Sequence, residues 1–117
     1  KMENSGWIKF HRKFNEWEWY QDPKMVQFFV HLLIHANRES KKWQNWTIPP
    51  GSLVIGRLRA AAILGTSEQS VRTCIDRLKK SGSITTISTN KFTLVTLVDW
   101  DFYQSKKTKS TIKQPPQ

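Results

Sequence analysis

Cysteine occurs once in this chain, at Cys74, so no internal disulfide can form and a disulfide-stapled secreted fold is excluded. No run of about 18 apolar residues and no basic-then-apolar leader is present, which argues against membrane spanning and secretion and leads us to expect a cytoplasmic protein. Glycine is sparse, at 5 residues, and none of it forms a phosphate-cradling loop. No pair of carboxylates stands at catalytic spacing. His31 and His35 are four apart on a helical segment, but "HLLIH" lacks the glutamate of a zinc protease and no other ligand accompanies it, so the pair reads as structural or surface histidines. His11, in "FHRKF", reads as packed beside aromatic rings, with a phosphate contact as the alternative. Cys74 adjoins an apolar stripe and reads as an inert buried thiol. The expectation is a protein that is not an enzyme, with no catalytic residue, no cofactor and no metal.

Acidic residues are also few, 9 against 19 Lys and Arg, which leaves a formal net charge of +10. Such an excess draws polyanions by steering and by counterion release, and DNA is the first candidate partner. The charge is uneven. Residues 41–91 hold nine basic side chains (Lys41, Lys42, Arg57, Arg59, Arg72, Arg77, Lys79, Lys80 and Lys91) against Glu68 and Asp76. A chain of 117 residues with 38% hydrophobic content is enough for one domain with a real core.

The first segment, "GWIKFHRKFNEWEWYQDP", spaces Trp7, Phe10, Phe14 and Trp17 by three, four and three. We read it as a strand or irregular lead-in and then a short helix. In "DPKMVQFFVHLLIHAN", Asp22 is the N-cap, Pro23 takes the first helical position and Asn37 lies near the C-terminal cap. Met25, Phe29, Leu32 and Ala36 make one stripe, while Val26, Val30 and Ile34 cover other angles, so this helix needs covering on several sides, by the aromatic segment or by a second subunit. "RESKKWQNW" reads as a polar loop that leads into a hairpin at "TIPPGSLVI", where Pro-Pro-Gly turns between two short apolar runs. In "GRLRAAAILGTS" the spacing predicts a short helix with Leu58, Ala61, Ala62 and Leu64 inward, closed by Gly65. Thr66 then caps the next helix, with Gln69 completing a capping box. That helix stops at "KKSG", and "SITTIS" and "FTLVTLV" flank the turn "TNK" as a β-hairpin. Leu53, Val54 and Ile55 supply a third strand. The order is that of an α+β winged helix-turn-helix with an aromatic-rich N-terminal extension.

On "TSEQSVRTCIDRLKKSGSI" helical periodicity puts Val71, Ile75 and Leu78 on the core side with Cys74 beside them. The opposite side carries Gln69, Thr73, Arg77 and Lys80, with Arg72 and Lys79 on one shoulder. If this helix enters a DNA major groove, its N-terminal half lies nearest the bases. Ser67, Gln69, Ser70, Arg72 and Thr73 then become the readers, Arg77 and Lys80 touch phosphate, and Asn90 and Lys91 at the hairpin tip reach the neighbouring backbone or minor groove. The alternative is a solvated amphipathic helix, with Arg72 paired to Asp76.

This stretch is similar to the second helix and following strand of bacterial winged-helix regulators. The wider chain, from "GWIKFHRKFNEWEWYQDP" through "HLLIHANRESKKW" and "PPGSLVIGRLRAAAILGTSEQSVRTCIDRLKKSGSI" to "NKFTLVTLVDWDFYQ", resembles the N-terminal domain of phage and mobile-element replisome organisers, related to DnaD-like primosomal proteins. The Trp-rich opening and "DWDFYQ" carry most of that resemblance. It implies a DNA-binding, self-associating domain of a replication-initiation protein, with a helicase loader or other replication proteins as partners. Self-association would run through the N-terminal extension, and we assign it to Trp7, Phe10, Phe14 and Trp17. Residues 1–5 read as a leftover or disordered start and 6–104 as the winged-helix domain. The basic, proline-terminated 105–117 reads as a linker toward a C-terminal domain that also contacts DNA. A transcriptional regulator and a protein-interaction scaffold that never touches DNA are the alternative functions.

Overall fold

The computed structural model describes residues 8–98 and 100; Trp7, residues 1–5, Phe102, Tyr103 and the segment 105–117 lie outside them. The described chain is an α+β fold of three α-helices and two small antiparallel sheets, preceded by a 3-10 helix at Arg12–Glu16. Helix α1 spans Pro23–His35; strands β1 (Lys41–Trp43), β2 (Trp46–Ile48) and β3 (Ser52–Ile55) follow, then α2 (Arg57–Leu64), α3 (Glu68–Lys80), β4 (Ile84–Ser88) and β5 (Thr93–Leu97).

Helix α1 starts where its cap residues demand. The Asp22 carboxylate accepts from the Lys24 and Met25 N–H groups, and Pro23 occupies the first turn, where a missing N–H costs nothing. The expected stripe of Met25, Phe29, Leu32 and Ala36 is buried, joined by Phe28 and Leu33. Phe14 and Trp17 lie against Phe29, with ring centroids 6.0 Å and 4.9 Å away. The aromatic lead-in thus covers part of α1 within one molecule.

Four expectations need correction. The polar loop at 38–46 contains the hairpin β1–β2, with Trp43 opposite Trp46 and Gln44 at φ 55 in its turn. The runs flanking Pro49-Pro50-Gly51 do not pair with each other; β2 pairs with β1, and β3 pairs with β5. Gly51 at φ +82 redirects the chain there, and its N–H donates to the Asn37 carbonyl at 2.8 Å. In α2 the buried residues are Ala60 and Ala61 with Leu64 half-buried, whereas Ala62 is exposed and Leu58 is 72% exposed. An inward stripe of small residues lets α2 approach α3 closely, and the larger Leu58 and Ile63 turn outward. Finally, the cap of α3 is Ser67, whose hydroxyl accepts from the Ser70 N–H, and not Thr66. The Thr66 N–H is already used on the Ala61 carbonyl at 3.0 Å, closing α2 behind Gly65 in the left-handed region.

The larger sheet has the order β3-β5-β4, both pairings antiparallel. Register aligns Leu53 with Val95 and Ile84 with Leu97, and all four side chains are buried with Leu78 and Val71 from α3. The two buried polar residues among those described, Ser52 and Thr93, find hydroxyl partners on neighbouring strands, Thr96 at 2.8 Å and Ser88 at 3.2 Å. No helix among the described residues is long and apolar enough to cross a membrane.

Candidate nucleic-acid interface

Helix α3 buries Val71, Cys74, Ile75 and Leu78, as its periodicity requires. Burial, and secondly the Asp22 carboxylate, push the Cys74 thiol above its ordinary value, which removes thiolate character. The remaining circumference divides into an outward stripe and two shoulders. Gln69, Asp76, Lys79 and Lys80 are exposed and Thr73 is half-exposed, with the Gln69 amide donating to the Thr73 hydroxyl at 3.4 Å.

One shoulder faces the start of α2. Arg72 pairs with Glu68 at 3.7 Å, one turn before it, and not with Asp76. Glu68 also takes Arg57 at 3.5 Å. A carboxylate shared by two guanidiniums holds both near one place while leaving a net positive charge. The pairing is surface-exposed and contributes under about 1 kcal/mol, so Arg72 can leave it for a stronger partner.

The other shoulder turns inward toward the N-terminal segment. Ser70 and Thr66 receive the Lys24 ammonium at 3.5 Å and 3.2 Å, and Ser67 is occupied as the helix cap. Arg77 bonds Asp22 at 3.2 Å and lies 5.1 Å over the Trp19 ring. Of the residues expected to contact DNA, Ser67, Ser70 and Arg77 therefore serve the fold. We expect Arg77→Ala to lower folding stability by about 1 kcal/mol, from one exposed ion pair and one cation–π contact. Its effect on DNA affinity should be smaller than that of Lys80→Ala. Urea unfolding of both variants beside DNA titrations decides; unchanged stability with the larger affinity loss at Arg77 would put its guanidinium on the ligand instead.

The β4–β5 turn is braced. The Thr89 hydroxyl accepts from the Lys91 and Phe92 N–H groups at 3.1 Å and 3.2 Å, leaving Asn90 and Lys91 exposed at the tip. Phe92 sits edge-on to Trp43 and Trp46, at 4.8 Å and 5.5 Å, so the β1–β2 hairpin props the turn from below. Between the turn and the start of α2 lies a cleft of about 220 Å³ bordered by Arg57, Arg59, Glu68, Asn90 and Lys91. The tip and the start of α2 thus face one cleft in which basic side chains outnumber its single described carboxylate, Glu68, through which α3 reaches it. In the sequence Arg57 and Arg59 stand out only as charge. Their spacing in "GRLR", directly after a strand, was the available signal.

Of the residues expected to drive self-association, Phe14 and Trp17 pack on Phe29, Phe10 is 44% exposed beside Phe14, and Trp7 lies outside the described residues. His31 and His35 have ring centroids 4.4 Å apart. Burial and then the neighbouring imidazole hold the His31 pKa below its usual value, and no group of three or more candidate metal ligands occurs among the described residues. No family model, curated protein or solved structure matches the chain.

Proposed function

We propose that this chain is a winged helix-turn-helix domain that binds duplex DNA, laying α3 in the major groove and the Asn90–Lys91 tip on the adjoining backbone. The reading rests chiefly on one observation: the solvent face of α3 presents Gln69, Arg72, Lys79 and Lys80 in the open, and the start of α2 and the braced turn add Arg57, Arg59 and Lys91 around a cleft that α3 reaches through Glu68, the partner of Arg72. The element order, with α2 and α3 joined at Gly65 and a three-stranded sheet of order β3-β5-β4, fits a winged helix. Arg bonds guanine bidentately and Gln bonds adenine, so the helix offers base-reading chemistry as well as charge. The domain is non-enzymatic and acts in the cytoplasm, as part of a phage or mobile-element replication-initiation protein, the role implied by the resemblance of "DWDFYQ" and the Trp-rich opening.

Binding to duplexes measured over a salt series tests the reading. Four phosphate contacts, from Arg59, Lys79, Lys80 and Lys91, predict that log K falls against log salt with a slope of about −4. A slope near zero would leave the protein-interaction scaffold as the better account. Preference for a palindrome with half-sites one helical turn apart would favour a transcriptional regulator instead.

A further inference from the structure

The end of α1, the β1–β2 hairpin, β3 and α2 enclose an open groove of about 370 Å³ that no residue of α3 lines. Its floor is aliphatic, with Ile48, Leu53, Ile55 and Ala60, and on its lip Ile63 is 59% exposed. Among the described residues its charged lining is of one sign: Lys41 and Arg59 border it with the His31–His35 pair, and no described carboxylate does. Neither Lys41 nor Arg59 forms an ion pair with any described residue.

One segment of the same chain has the opposite character. Of its 9 acidic residues, Glu16, Glu18 and Asp22 fall within seven positions. Alternation turns Trp17 and Trp19 inward and leaves Glu16, Glu18 and Tyr20 exposed, Tyr20 at 47%, with the exposed Phe10 ring nearby. Asp22 is taken by the α1 cap and by Arg77, whereas Glu16 and Glu18 have no ion-pair partner among the described residues.

The segment cannot reach the groove of its own molecule. Asp22 caps the start of α1 while His31 and His35 stand in its last turns, roughly 14–20 Å further along the axis at the helical rise. Trp17 on Phe29 and Trp19 under Arg77 pin the segment where it is. A second copy has no such constraint. We infer that the groove receives the acidic segment of a second copy of this chain, head to tail, with Glu16 and Glu18 on Lys41 and Arg59 and the Tyr20 and Phe10 rings on the Ile63 lip. An aliphatic floor suits such side chains better than bases, which need rings to stack on; of the rings on the wall, Trp43 is engaged by Phe92 and the His31 and His35 imidazoles by each other.

A head-to-tail contact leaves one groove and one segment open in every dimer, so assembly continues until a ring closes or a filament grows. The contact is smaller than the roughly 800 Å² per partner of a stable complex, and its ion pairs are exposed to salt, so it is weak and salt-sensitive. The interface uses no α3 residue and shares only Arg59 with the proposed DNA contacts, so its failure would leave the placing of α3 on DNA untouched.

Sedimentation of the 117-residue chain at low salt, over a concentration series, is expected to show mass rising with concentration and falling as salt is added. The segment variant Glu16→Gln/Glu18→Gln and the groove variant Lys41→Gln/Arg59→Gln should each be monomeric, and all four side chains are exposed, so both should melt as the parent does. Mixed together, they should form a 1:1 dimer and nothing larger, because only one intact segment and one intact groove remain to pair. A parent that stays monomeric throughout, a variant that associates like the parent, or a mixture that stays monomeric each overturns the inference. So does a groove variant that keeps its association and loses more DNA affinity than the single Arg59 contact accounts for, which would assign the groove to nucleic acid. Dimerisation of the parent that is insensitive to both variants would place the interface elsewhere.

Discussion

Gly51→Ala is expected to destabilise the domain by about 3 kcal/mol, the largest stability effect among the variants considered. Two costs add. Gly51 holds φ +82, where a side chain costs about 1–2 kcal/mol. A Cβ built there would stand 2.6 Å from the Trp100 ring and 2.7 Å from its Cβ, an overlap that forces the backbone or the indole to shift, at about 1–3 kcal/mol. Urea unfolding in two backgrounds separates the costs. In the Trp100→Ala background the Gly51→Ala penalty should shrink to the backbone part, about 1–2 kcal/mol. An equal penalty in both backgrounds would mean that the indole gives way freely and that only the dihedral angle matters.

Arg72→Ala should weaken binding to a preferred duplex by about 1–3 kcal/mol, roughly 5- to 150-fold, and relax preference at one base pair, as expected for loss of a bidentate guanine contact. Lys91→Ala should instead weaken all sequences alike and reduce the salt slope by about one unit. The structure sharpens this contrast. Among the described residues Arg72 is held by one exposed ion pair, to Glu68, so its replacement should leave the melting temperature nearly unchanged while DNA affinity falls. Equal affinity for every duplex after Arg72→Ala and Lys80→Ala together would remove α3 from the groove.

Much of this arrangement could be read from local signals. Asp22-Pro23 marks the start of α1, and the stripes of α1 and α3 have enough contrast between apolar and polar faces to give their buried sides. The inward face of α2 did not follow from pattern, because a run of three alanines gives little contrast and the one large aliphatic at its start, Leu58, points out. The β1–β2 hairpin was hidden because its strands are three residues long, largely polar, and joined through a Gln in the left-handed region where Asn or Gly is the usual signal. Long-range partners were the least legible. Arg77 has the periodicity of an outward residue, and only the folded chain brings it to Asp22, 55 residues earlier. The cleft of Arg57, Arg59 and Lys91 likewise depends on the pairing of β3 with β5, which no local window contains.

The place of β5 also bears on how the chain folds. It is the central strand of its sheet and the last of the described strands in sequence, so β3 waits for a partner about 40 residues downstream, with Ser52 meeting Thr96. Until residue 97 is available, β3 and β4 remain two unpaired edges over an open core, a state prone to pairing with other chains. Closing that separation comes late and sets a slower pace than the local contacts of α1 and α3. During synthesis the two helical segments can form early, but the cleft that sets the Asn90–Lys91 turn beside Arg57, Arg59 and Glu68 comes into being only when β5 is inserted between its neighbours.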